Sequence, residues 1–78
     1  MTNLEKYRQA FVDAFEIEPE QAEGYVFRQS EGWDSIGHMS LVAALEDAFG
    51  LELEPDEMLA ITSFPDGMEM LKHKGIEF

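Results

Sequence analysis

Cysteine is absent from this sequence, and only five lysines or arginines stand against 17 aspartates and glutamates. Without thiols there is neither a disulfide framework nor a thiolate metal site, so compactness must come from packing alone. The shortage of positive charge leaves a formal net charge of −12 at pH 7, which repels nucleic acid. No lysine or arginine lies between Arg28 and Lys72, a stretch that carries Glu31, Asp34, Glu46, Asp47, Glu52, Glu54, Asp56, Glu57, Asp66 and Glu69. Such a field attracts proteins with basic patches and speeds their encounter; solubility explains it equally well. Long apolar runs are missing too. Nothing approaches the roughly 20 residues of a membrane span, and the opening Met-Thr-Asn-Leu-Glu-Lys-Tyr-Arg lacks the basic-then-apolar layout of a secretory leader. A soluble, cytoplasmic and monomeric protein is the expectation.

What is present suffices for a small fold. The 78 residues, 45% hydrophobic with one Trp, two Tyr and six Phe, make a single domain over 1–78. A chain of this length buries about 60 to 65% of the surface exposed by its unfolded form. Leu4, Tyr7, Phe11 and Phe15 recur at steps of three and four with Ala10 and Ala14 on the same side, predicting an amphipathic helix over 3–15. Thr2 or Asn3 can cap its start, and Glu-Ile-Glu-Pro at 16–19 ends it, because the residue before proline is pushed out of helical conformation. Residues 16–33 hold Pro19, Gly24 and Gly32 with apolar residues at no sustained period, which reads as a long ordered loop pinned by Ile17 and Phe27.

Leu41, Leu45 and Phe49 then fall four apart, with Val42 widening the stripe and Gly50 after it. This predicts a second helix over 35–49, about 22 Å long at 1.5 Å per residue, stopped by a left-handed glycine. Glu-Pro-Asp-Glu-Met-Leu-Ala-Ile at 54–61 supports a helix of two turns at most. Ser63 followed by Asp66 resembles a capping box, with Pro65 in the first turn, Met68 and Leu71 as a short apolar face, and Gly75 as the stop after Lys72, His73 and Lys74. The fold class is therefore all-α, a small four-helix bundle of three main helices and one short one with a long first loop. Its expected core is Phe11, Phe15, Leu45, Phe49 and Ile61, with Met58, Met68 and Met70 as filler.

Catalytic patterns are scarce. A nucleophile needs a base against it, and only His38 and His73 could serve. His38 lies three residues after Ser35 on the same helix face, but an exposed surface histidine is the simpler expectation. No calcium-loop or zinc pattern appears, so neither a metal site nor an enzyme activity is expected. There remains the junction Glu-Gly-Trp-Asp-Ser-Ile-Gly-His-Met-Ser-Leu at 31–41. It sets the Ser35 hydroxyl at the positive end of a helix after Asp34, an acid able to cap the first turn. That terminus suits a phosphate, although Asp-Ser before an apolar run is also ordinary capping chemistry. On the outward side, Ile36, Met39, Ala43 and Asp47 recur at helical steps, with Glu46 bordering them. Exposed Ile and Met there form a docking patch; the alternative is that Met39 completes the core against Trp33.

Trp-Asp-Ser-Ile-Gly-His-Met, continued by Leu-Val-Ala-Ala-Leu-Glu-Asp-Ala-Phe-Gly-Leu-Glu-Leu, resembles the Asp-Ser-Leu signature and second helix of the acyl carrier protein family, with Ile36 in place of the leucine. Glu-Pro-Asp-Glu and Ile-Thr-Ser-Phe resemble the entries to its third and fourth helices. The resemblance covers 33–72 in detail. It implies that Ser35 is esterified with 4′-phosphopantetheine by a separate transferase using coenzyme A, that Asp34 helps engage that transferase and its magnesium, and that acyl intermediates ride as thioesters between acyl-loading and acyl-using enzymes with basic docking patches. In this family the interior can also open to shelter an acyl chain. Two departures stand out: Gly37, expected to weaken the first helical turn by about 1 kcal/mol relative to alanine, and Trp33, where many members have a small residue. The wording resembles a specialised acyl or polyketide-like carrier more than the housekeeping fatty-acid carrier. An aminoacyl or peptidyl carrier is a further possibility, and an unmodified acidic helical adaptor for a basic partner is the reading of another class.

Overall fold

The computed structural model describes residues 2–78. Four α-helices follow in order: α1, Asn3–Phe15; α2, Ser35–Phe49; α3, Pro55–Leu59; and α4, Phe64–His73. The expected all-α bundle is what forms. The segment between α1 and α2 is more structured than expected, since a 3-10 helix occupies Pro19–Gly24 with Pro19 at its start. Val26 and Ser63 form a single antiparallel bridge, in which Phe27 N–H donates to the Thr62 carbonyl at 2.9 Å and Phe64 N–H to the Tyr25 carbonyl at 3.2 Å.

Local chemistry explains where each helix begins and ends. Thr2, not Asn3, caps α1: its hydroxyl accepts from Glu5 N–H and the Glu5 carboxylate accepts from Thr2 N–H. These bonds hold the Glu5 carboxyl below the usual carboxylate range. Asn3 instead donates its side-chain amide to the Glu77 carbonyl at 2.8 Å, tying the two ends of the chain together. α1 ends where expected, capped at Glu16, the first residue of Glu-Ile-Glu-Pro, which takes a left-handed φ of 54°. Gly50 closes α2 at φ 63°, a conformation that costs a non-glycine residue roughly 1 to 2 kcal/mol. α3 stays within the two turns expected of it, with five residues, none of them fully buried. Only half of the expected capping box opens α4. The Ser63 hydroxyl accepts from Asp66 N–H, while the Asp66 carboxylate accepts from the Thr62 hydroxyl at 2.7 Å.

The core is built on rings. Tyr7, Phe11, Trp33, Leu41, Val42, Leu45, Ile61 and Leu71 are essentially inaccessible to solvent, and each such side chain contributes about 1.5 to 3 kcal/mol of burial. Phe11, Leu45 and Ile61 lie where expected, whereas Phe15 and Phe49 are only half-buried at its margin. Of the methionines expected as filler, Met70 is buried, and Met58 and Met68 pack partly against the core. The first loop is anchored mainly by Ala22 and Trp33, which are fully buried; Ile17 and Phe27, its expected anchors, are half-buried. The Tyr7 hydroxyl donates to the Phe64 carbonyl at 2.6 Å, and burial, aided by the negative charge of Asp66, pushes its phenol far above the ordinary range. Among the described residues no helix is long and apolar enough to cross a membrane.

Candidate functional site at the start of the second helix

The N-terminus of α2 is assembled by three contacts. Asp34, extended at φ −105°, is its N-cap; its Oδ1 accepts from Gly37 N–H at 2.9 Å, and its backbone carbonyl accepts from His38 N–H at 2.8 Å. Ser35 is thus the first helical residue, and it is exposed. The N–H groups of Ser35 and Ile36 precede the first bond of the helical ladder, so they face the same end as the serine hydroxyl. A phosphodiester on Ser35 would place its negative charge beside these donors and the positive end of the helix dipole. The residues present therefore fit a covalently attached phosphate group.

Gly37 supplies the second contact, and it corrects an expectation. A Cβ built there would collide with the Gly32 carbonyl oxygen, far inside van der Waals contact. The loop backbone packs directly on the helix at that point. Gly37 is therefore a requirement of the junction, and its low helix propensity is outweighed by the close approach that only glycine permits.

The third contact overturns the expectation of a surface histidine. His38 is only 7% exposed. Trp33 Nε1–H donates to His38 Nδ1 at 3.0 Å, and His38 Nε2 lies 2.8 Å from the Met58 carbonyl. The indole nitrogen can only donate and the carbonyl only accept. The imidazole is thereby fixed as the tautomer with its proton on Nε2. Both ring nitrogens are taken, which leaves neither to serve Ser35 as a base. Trp33 in turn packs among Phe11, Phe15 and Phe27, at centroid distances of 5.3, 5.2 and 6.1 Å. The bulky residue at this position is the keystone of the loop.

On the opposite face of α2, Ile36 is 80% and Met39 57% exposed, and Ala43 and Asp47 are exposed as well. Met39 does not fill the core against Trp33; that place belongs to Phe11, Phe15, Phe27 and His38. Glu46 is half-buried, and its Oε2 accepts from Leu53 N–H at 2.9 Å, so it braces the segment leaving α2. Sequence reasoning missed Leu59, which is 72% exposed on α3; within Met58-Leu59-Ala60-Ile61 no period marks which side faces out. Among the described residues no cluster of side chains is suited to holding a metal ion.

Comparison with known proteins agrees with this geometry. Residues 8–66 match the family described as a phosphopantetheine attachment site. A curated acyl carrier protein from Nitratidesulfovibrio vulgaris (strain DSM 19637 / Miyazaki F) is 32% identical over 63 residues, spanning 81% of this chain and 78% of that protein. An acidic helical domain with this match belongs to the acyl carrier protein family, whose members do not catalyse reactions but carry covalently attached 4′-phosphopantetheine.

Proposed function

We propose that Ser35 is the attachment serine and that this chain carries acyl intermediates for a specialised acyl or polyketide-like pathway. The observation that carries this reading is the place of Ser35: an exposed hydroxyl on the first residue of α2, directly after the capping Asp34 and inside the region matched to the phosphopantetheine attachment family. The bound cofactor supplies a thiol that holds acyl groups as thioesters. The chain's own part is presentation. Asp34 sets the helix start through Gly37 N–H and offers a carboxylate next to the hydroxyl for the transferase and its magnesium. Ile36 and Met39 provide apolar contact beside the serine, and Ala43, Glu46 and Asp47 continue the strip along the helix. With no lysine or arginine between Arg28 and Lys72, this side steers basic enzyme patches toward the serine. The chain acts in the cytoplasm as a monomer. The test is intact mass after incubation with coenzyme A and a broad-specificity phosphopantetheinyl transferase. A gain of one phosphopantetheine, absent in Ser35→Ala, is expected; no gain with several such transferases would favour the unmodified adaptor.

A further inference from the structure

The first turn of α2 bears the serine, yet most of its side chains face solvent: Asp34, Ser35, Ile36 and Met39 are all exposed. His38 is the exception. Its ring is stacked on Phe27, with centroids 4.9 Å apart and planes 21° from parallel, and lies within 16° of the Trp33 plane. Its two nitrogens join segments that are far apart in sequence, the loop through Trp33 and α3 through the Met58 carbonyl. Apart from the partial packing of Met58 and the buried Leu53 and Ile61 that flank it, α3 has few anchors. It has five residues, none fully buried, and its other side-chain tie to the rest of the fold among the described residues is the Glu57–Lys74 ion pair at 3.1 Å. We infer that His38 is a positioning residue: a polar pin that fastens both the Trp33 loop and α3 to the serine-bearing turn of α2, so that the hydroxyl and the exposed Leu59 of α3 are presented in one fixed relation.

The pin needs an acceptor and a donor on one rigid ring. Leucine at 38 would match the burial but leave the indole N–H unpaired, the costly case for a buried polar group, and leave the Met58 carbonyl only the longer bond from Ile61 N–H at 3.3 Å. Glutamine keeps one amide donor and one acceptor within reach of the same partners. The role given to the serine-bearing turn rests on Ser35 being the attachment site, but the pin itself does not, and the two can be judged apart.

The experiment uses the full chain with His38→Leu and His38→Gln. Because Trp33 is the sole tryptophan, its indole N–H resonance reports the bond to His38 without ambiguity. In His38→Leu that resonance should shift, and amides of 55–61 should exchange with deuterium about tenfold faster, the equivalent of one lost net hydrogen bond, while those of α1 hold. His38→Gln should restore most of the α3 protection. Loading of Ser35 by a transferase should weaken through KM in the leucine variant and recover in the glutamine variant. Unchanged α3 exchange in His38→Leu would overturn the inference. So would an equal loss of protection in every helix without rescue by glutamine, which would mark His38 as an ordinary core residue. Failure of the unmutated chain to load would overturn the serine assignment alone, leaving the pin to be decided by exchange and the indole resonance.

Discussion

The two faces of α2 are built from the same fifteen residues and do opposite things. The inner face, with His38, Leu41, Val42 and Leu45 buried, is closed: its apolar groups are packed and its one polar ring has both nitrogens satisfied. The outer face, with Ile36, Met39, Ala43 and Asp47, leaves apolar side chains in water beside the exposed Ser35. The difference fits the division of labour proposed above, in which one side fixes the serine in place and the other is offered to partners.

The largest expected effect comes at the boundary between the faces. Ser35→Ala should abolish loading altogether, as read by intact mass, while the exposed change leaves stability within about 0.5 kcal/mol. Gly37→Ala attacks the inner side. Its new methyl meets a backbone oxygen that cannot move aside easily, and overpacking of this kind costs about 1 to 3 kcal/mol or more. Thermal unfolding should fall by about 4 to 8 °C for each of those kcal/mol in a domain of this size, and a melt at or above the unmutated value would show that the loop does not press on the helix. Asp34→Ala removes the cap and should cost about 1 kcal/mol, visible as a lower denaturant midpoint at unchanged slope. Smallest in stability is Met39→Glu on the outer face, which should stay within about 0.5 kcal/mol yet slow turnover by acyl-loading enzymes; normal turnover would sink the docking role of that strip.

Much of this was legible in the sequence because periodicity and punctuation agreed. Leu41, Leu45 and Phe49 with Gly50 behind them gave α2 to the residue, and Ser63 with Pro65 gave the start of α4. Asp34 and Ser35 were readable as cap and first helical residue, since a carboxylate ahead of an apolar run has one obvious use. The first loop was not. Its 3-10 helix has no apolar period, and its anchor is a tryptophan held by aromatic neighbours from α1, a tertiary fact that local pattern cannot supply. His38 was misjudged because histidine is read as polar, although it stands three, four and seven residues before Leu41, Val42 and Leu45, on the buried stripe. Gly37 was misjudged in the same way: propensity measures a lone helix, whereas here the Gly32 carbonyl occupies the space of its side chain.

The most direct test of the two-face account is a pair of amide correlation spectra of the full chain, before and after treatment with coenzyme A and a phosphopantetheinyl transferase. Shifts confined to 34–40 and the exposed strip of α2, with the Trp33 indole resonance and the α1 amides unmoved, are the predicted result. Shifts spread through the buried stripe and the Trp33 indole, or none at Ser35 despite a gain in mass, would contradict it.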